Sequence, residues 1–212
     1  SLEYTYDEKG NLEKQTNQSG TEINYEYDKM HRLIGTTNAK GYKTAYSYDS
    51  RGNLASIINP KGAKVTYSYD LLDRISKETD PLSSTKDYKY DIAGNIESIT
   101  KNGGRITSYT YDANGNMTSA TNPLGYVKNY QYDSMNRLVS ETNEASEQTK
   151  YGYDFNGQIT SITDLNGSVT QLKHDGNGNV TEKINSKNEK TSYKYDLADR
   201  LTSVTDNIGV TT

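Results

Sequence analysis

The stretch Tyr4-Thr5-Tyr6-Asp7-Glu8-Lys9-Gly10-Asn11-Leu12 decides the fold, because the chain repeats it ten times. Tyr-Asp recurs at Tyr6-Asp7, Tyr27-Asp28, Tyr48-Asp49, Tyr69-Asp70, Tyr90-Asp91, Tyr111-Asp112, Tyr132-Asp133, Tyr153-Asp154 and Tyr195-Asp196, and His174-Asp175 fills the remaining slot. The interval is 21 residues each time, without insertion or deletion. A fixed period of this length predicts a tandem array of small structural units. Residues 1–212 read as ten such units, an uncapped slice of a longer array.

Three positions after each Asp stand Gly10, His31, Gly52, Asp73, Gly94, Gly115, Asn136, Gly157, Gly178 and Asp199. These residue types best tolerate positive φ. Asp-x-x-Gly therefore reads as a type I turn, with the Asp side chain accepting a backbone N–H and the fourth residue left-handed. Such a loop closes a hairpin with a G1 bulge.

A second turn follows ten residues after the Asp, as in Asn17-Gln18-Ser19-Gly20, Asn59-Pro60-Lys61-Gly62 and Asn122-Pro123-Leu124-Gly125. All 3 prolines occupy its second position, where a preset φ is favourable. Between the turns lie short runs such as Val65-Thr66-Tyr67-Ser68-Tyr69 and Ile96-Glu97-Ser98-Ile99-Thr100. Their β-branched and aromatic residues and period of two predict strands. The expectation is all-β: an antiparallel meander of about twenty short strands, with no helix.

In the first turns, Gly is followed by Asn or Gln, whereas a residue other than Gly is followed by Arg32, Arg74, Arg137 or Arg200. Met30, Leu72, Met135 and Ala198 precede these turns' left-handed slots, which predicts that the tips pack on something.

Leu, Ile, Val and Phe total 34 of 212 residues, too few for a thick apolar core. The 20 tyrosines and a net charge of only -4 argue against disorder. Tyrosines stacked into ladders along one face, with Leu and Ile, would replace a conventional core. Twenty strands at about 4.8 Å spacing make a sheet roughly 96 Å wide, which twist should coil around a space. A packed sandwich would demand more large aliphatics.

With no cysteine, disulfides and thiolate metal sites are excluded. The mildly acidic charge and scattered Lys and Arg predict no nucleic-acid partner. No membrane span or signal peptide is visible. Open strand edges at both ends predict end-to-end self-association unless other chain segments cover them.

The patterns Tyr-x-Tyr-Asp-x-x-Gly-Asn-Leu and Tyr-Asp-x-x-x-Arg-Leu resemble the YD-repeat, or Rhs, family over the whole chain. That family includes bacterial polymorphic toxins, wall-associated proteins, toxin-complex cocoon subunits and animal teneurins. The resemblance implies a β-strip spiralling into a hollow shell, secretion or bacterial surface display, and, in bacterial members, an enclosed C-terminal toxic domain. The partner is then the remainder of the same polypeptide or an enclosed effector. The family's Asp-Pro-x-Gly-Leu self-cleavage motif has no counterpart: Asp80-Pro81-Leu82-Ser83 lacks the Gly-Leu and occupies an ordinary turn. Neither autoproteolysis nor toxicity is assigned to these residues.

Catalysis requires groups that depart from the repeat. His31 in a turn slot and His174 in a Tyr slot read as repeat drift, so no catalytic residue and no cofactor is expected. His174-Asp175-Gly176-Asn177-Gly178-Asn179 and Asp112-Ala113-Asn114-Gly115-Asn116 resemble calcium loops. Counting from Asp175, however, places Val180 and Ser186 where an EF-hand needs Gly and Glu, so Asx-capped turns without metal are expected. Tyr42 and Tyr126 lie outside the ladder slots, each after a turn Gly. They are the candidate contacts for a cell-surface glycan; the alternative is that they extend the following strand. The sequence thus supports a structural shell segment of a secreted protein, with an extracellular carbohydrate-binding module as the second reading.

Overall fold

A computed structural model describes residues 2–211. They form 21 β-strands and no helix. Two compact units divide the chain, residues 1–91 with 96–106, and residues 92–95 with 107–212.

The first unit contains β1 (Glu3–Tyr6), β2 (Leu12–Thr16), β3 (Glu22–Tyr27), β4 (Leu33–Asn38), β5 (Lys43–Tyr48), β6 (Leu54–Ile58), β7 (Lys64–Tyr69), β8 (Ile75–Thr79), β9 (Thr85–Tyr90) and β10 (Ile96–Lys101). Each pairs antiparallel with the next in sequence. The strands that follow are β11 (Arg105–Tyr111), β12 (Met117–Thr121), β13 (Val127–Tyr132), β14 (Leu138–Thr142), β15 (Gln148–Tyr153), β16 (Ile159–Thr163), β17 (Val169–His174), β18 (Val180–Ile184), β19 (Lys190–Tyr195), β20 (Leu201–Thr205) and β21 (Val210–Thr211). They continue the same antiparallel meander within the second unit.

The turn chemistry explains the meander. All ten slots from Gly10 to Asp199 have positive φ, from 58° at Asp199 to 96° at Gly52. In the Asp28 turn, the His31 amide donates to the Asp28 carbonyl at 3.1 Å and the Asp28 amide donates to the Arg32 carbonyl at 3.0 Å. Asp28 Oδ1 accepts the amides of Met30 and Arg32 at 2.8 and 3.0 Å. Two amides per carboxylate oxygen fix the loop, and the register shifts beside it at Glu26/Tyr27, as a bulge requires.

The second turns use the same device, with Asn38, Asn59, Asn122 or Asp164 as the capping residue. One departs from it. Lys101 has no side-chain oxygen to cap with, and Asn102 and Gly103 instead take φ of 49° and 68°. The Gly104 amide then donates to the Lys101 carbonyl at 3.1 Å. Two successive positive φ values define the tight type I′ hairpin that Asn-Gly favours.

Neither unit has a conventional core: among the described residues, no hydrophobic side chain is buried. Gly35, Ser56 and Ser140 are the buried residues, all on the face away from the tyrosines. The tyrosines do not oppose one another. Tyr48 faces Leu54, Tyr69 faces Ile75 and Tyr90 faces Ile96. The expected tyrosine ladder is therefore a row of tyrosine–aliphatic pairs, because only alternate strands carry tyrosine.

Candidate functional site

The two faces of each meander differ in chemistry. On the tyrosine face, several of the tyrosines that precede an Asp reach back one repeat. The hydroxyls of Tyr48, Tyr69 and Tyr90 donate to the carbonyls of Leu33, Leu54 and Ile75 at 2.8 Å each. Tyr153 and Tyr195 do the same to Leu138 and Val180 at 2.7 and 3.0 Å. The acceptor is the first residue of the strand leaving the preceding turn, whose carbonyl the bulge leaves free of the ladder. The tyrosine two residues earlier meets a side chain instead: Tyr25 donates to Gln15 at 3.3 Å, Tyr88 to Glu78 at 3.2 Å and Tyr151 to Glu141 at 3.0 Å. Partial burial raises the pKa of Tyr88 and Tyr151, and the neighbouring carboxylate adds to the rise.

The opposite face is polar. Ser47 and Ser56 hydroxyls lie 2.7 Å apart, as do those of Thr110 and Ser119. Lys43 pairs with Glu26 at 2.6 Å, and Lys77 with Asp87 at 3.3 Å. Glu182 sits between Lys173 and Lys190, which lower its pKa.

The turn edge accounts for the alternation of Asn and Arg. In both turn types the residue after the left-handed slot occupies the second oxygen of the capping Asp. Asn11 and Asn116 amides reach Asp7 and Asp112 Oδ2 at 2.7 and 2.9 Å. Arg32, Arg74, Arg137 and Arg200 bring both Nε and an Nη to the Asp. The guanidinium then lies over the tyrosine of the following repeat: Arg32 over Tyr48 at 4.6 Å, Arg74 over Tyr90 at 4.2 Å and Arg137 over Tyr153 at 4.6 Å. Each arginine turn is also met from the preceding repeat. His31 Nδ1 lies 2.8 Å from Asn11 Oδ1, while Asn53 donates to Asp73 at 2.6 Å, Asn116 to Asn136 at 2.8 Å and Asn179 to Asp199 at 2.8 Å. A glycine in those slots has no side chain to receive that contact. The non-Gly residue and the Arg therefore travel together.

The expectation that the arginine-turn tips pack is corrected. Met30, Leu72 and Met135 are 71%, 71% and 64% exposed, and Ala198 is exposed too. The tips project beyond the strand ends, and these turns are held at their bases by the Arg and Asp side chains.

Of the residues singled out in the sequence, His31 is absorbed by the turn-to-turn contact, and His174 ends β17 opposite Val180, in a tyrosine's place. The calcium-like loops are Asx-capped turns. Asp175 Oδ1 accepts the amides of Asn177 and Asn179 at 3.0 and 2.9 Å, and its other oxygen takes the Asn179 side chain at 3.2 Å. In the Asp112 turn, Oδ1 likewise accepts the amides of Asn114 and Asn116 at 2.9 Å each. Tyr42 and Tyr126 close second turns ahead of β5 and β13, one in each unit, with amides donating to Asn38 and Asn122. Their side chains stay 57% and 51% exposed. A cleft of about 170 Å³, lined by Lys128, Glu141, Thr142, Asn143, Thr149 and Leu165, lies in the second unit. That is below the ~300 Å³ at which ligand pockets usually begin, whereas a cleft of about 510 Å³ in the first unit, lined by Leu2, Asn17, Gln18 and Ser19, is wide open to solvent.

Meanders of short hairpins at a fixed 21-residue period, with side chains tying repeats to their neighbours, define the class: a tandem-repeat β-protein. The chain belongs to the RHS-repeat family, whose model matches six overlapping windows spanning residues 69–211. The teneurin YD-shell model matches residues 1–81. No curated protein matches the chain. Among solved structures, a mutant Tc holotoxin pore of Photorhabdus luminescens is similar over 99% of this chain, with a TM-score of 0.58 and 17% identity. The TcdB2–TccC3 complex is similar over 99%, with a TM-score of 0.56 and 17% identity. The chain spans only 14% and 15% of those two chains.

Proposed function

We propose that this chain is a wall segment of a hollow shell within a larger secreted bacterial protein, and that the shell encloses a toxic C-terminal domain of the same polypeptide. The observation that carries the reading is the absence of any buried hydrophobic side chain among the described residues. A sheet whose hydrogen bonds and side-chain ties run from repeat to repeat needs no second layer against it, so both faces are available, one to solvent and one to contents. Membership of the RHS-repeat family and the likeness in fold to toxin-complex chains support the same reading. The role is structural, not catalytic, and the place is outside the cell or on its surface.

The test is protection. In the full-length gene product, a domain following the repeats should resist a protease that digests the same domain expressed alone. Equal digestion rates, or a gene that encodes no such domain, would overturn the proposal.

The exposure of Tyr42 and Tyr126 favours a second reading, recognition of a cell-surface glycan by stacking on these rings. Binding on a glycan array that is lost in both Tyr42→Ala and Tyr126→Ala would support it. Absence of binding to any glycan would remove it.

A further inference from the structure

Five Asn-Gly dipeptides stand in the chain: Asn102-Gly103, Asn114-Gly115, Asn156-Gly157, Asn166-Gly167 and Asn177-Gly178. In each, the glycine nitrogen can close a five-membered ring on the asparagine side-chain carbonyl, and glycine has no side chain to hinder it. Four of the five nitrogens are engaged. The amides of Gly115, Gly157, Gly167 and Gly178 donate to the carbonyls of Asp112, Asp154, Asp164 and Asp175 at 3.1, 3.2, 2.9 and 3.2 Å. Two of the asparagine side chains are engaged as well, Asn114 with Asn136 at 3.0 Å and Asn177 with Asp199 at 2.9 Å.

The Lys101 turn differs, and its missing cap is the reason. In a capped second turn, Oδ1 of the first residue accepts the amide two residues on, as Asn59 does for Lys61 and Asn122 for Leu124, at 2.9 Å each. The equivalent amide here is that of Gly103, and Lys101 offers it no oxygen; Gly104 makes the turn's main-chain bond. Among the described residues the Gly103 amide has no acceptor. Asn102 and Gly103 are exposed, and an added Cβ on Gly103 would meet nothing within 4 Å. The Asn102 side chain is also poised. Its Oδ1 accepts the Thr85 main-chain amide at 2.8 Å, so a donor already sits where negative charge gathers when Cγ is attacked.

We propose that Asn102 is a built-in site of spontaneous deamidation, selected from the five by its turn. The Gly103 nitrogen gives its proton to hydroxide and attacks Asn102 Cγ, forming a C–N bond. The Cγ–Nδ2 bond then breaks, and Nδ2 leaves as ammonia with a proton taken from water. The cyclic imide adds one water molecule. Opening at Cγ gives aspartate; opening at the main-chain carbonyl gives isoaspartate, whose backbone runs through the side chain and is one carbon longer. In sum a side-chain amide and water become a carboxylic acid and ammonia, without oxidant or cofactor. Both products add a negative charge at the turn, and isoaspartate also lengthens a two-residue loop that has no slack. The modification marks the age of the molecule, and it is independent of what the shell encloses.

Peptide mapping by mass spectrometry tests this on the 212-residue chain held folded at mildly alkaline pH, with isoaspartate labelled by an isoaspartyl methyltransferase. Asn102 should convert about tenfold faster than each of Asn114, Asn156, Asn166 and Asn177, the factor set by a hydrogen bond that must open first at those sites. In guanidinium chloride, where no turn persists, the five should convert at similar rates. Lys101→Asn restores the cap and gives the Gly103 amide an acceptor. It should slow Asn102 about tenfold in the folded chain and leave the rate in denaturant nearly unchanged. Equal rates at the five sites in the folded chain, the same lead for Asn102 in denaturant, or a folded Lys101→Asn variant that deamidates as fast as the parent would each overturn the proposal.

Discussion

The Tyr90 hydroxyl, at the end of β9, donates at 2.8 Å to the main-chain carbonyl of Ile75, at the start of the neighbouring β8 in the previous repeat. Its ring meanwhile carries the Arg74 guanidinium at 4.2 Å. One side chain thus satisfies a carbonyl that the bulge had withdrawn from the ladder and covers a charge that caps the same turn. Tyr90→Phe should lower stability by about 1 kcal/mol, because the carbonyl loses its partner while the ring stays. Tyr90→Ala should cost about 3 kcal/mol or more, since the packing goes too. Urea unfolding of both variants checks this; equal losses would mean that the hydroxyl contributes nothing.

Gly52 has a φ of 96°, where a β-branched residue is strained. Gly52→Val should destabilise by about 1–3 kcal/mol. Gly104 belongs to the type I′ hairpin but is not left-handed, and an added methyl there meets nothing within 4 Å. Gly104→Ala should change stability by no more than about 0.5 kcal/mol. Thermal melts of the pair separate backbone strain from loss of glycine as such.

Acid should unfold the array from its turns. Main-chain amides of Arg32, Arg137 and Arg200 are the first cause of the lowered pKa of Asp28, Asp133 and Asp196. The Asn11 and Asn116 side chains are the first cause for Asp7 and Asp112. A carboxyl whose folded pKa is depressed stabilises fully above its unfolded value, 3.8, and that contribution drains away as pH falls through the lowered folded value. The melting temperature should hold steady from neutral pH to about 5 and fall below about 4. An unchanged melt at pH 2 would contradict it.

The Asn53–Asp73 contact at 2.6 Å joins consecutive turns, and Arg51 adds a 3.0 Å ion pair to the same Asp. A double-mutant cycle with Asn53→Ala and Asp73→Ala should give a coupling of about 0.5–1 kcal/mol. Because Asp73 is half exposed, salt should reduce the ionic part. A coupling of zero would show that neighbouring turns are independent.

The meander and its turns were legible because positive φ admits few residue types, and Gly10 to Asp199 obey that restriction at a fixed interval. The Lys101 turn was equally legible in principle: a lysine cannot cap as Asn or Asp does, and Asn102-Gly103 is the dipeptide a two-residue hairpin prefers. The Tyr90-to-Ile75 bond and the Arg74 stack were not. They join residues fifteen and sixteen apart, and only the bulge geometry says which carbonyl is left over and which face the ring takes. The apolar tips Met30, Leu72 and Met135 were misread for a related reason. Composition shows that a residue is apolar, but not that the sheet ends beneath it. Tyr42 and Tyr126 keep the exposure their proposed contact requires, and nothing in their turns gathers further polar groups around them.

The coreless sheet also bears on heat capacity. Unfolding raises heat capacity chiefly through newly exposed apolar surface, about 12–15 cal/mol/K per residue in ordinary globular domains. Here no described hydrophobic side chain is buried, and the tyrosines and aliphatics are already half wet. The increment per residue falls below that range, and the curve of free energy against temperature becomes correspondingly shallow. A sheet built this way should keep nearly the same stability over a wide temperature range, while a protein of equal length with an oily centre passes through a maximum and weakens on either side.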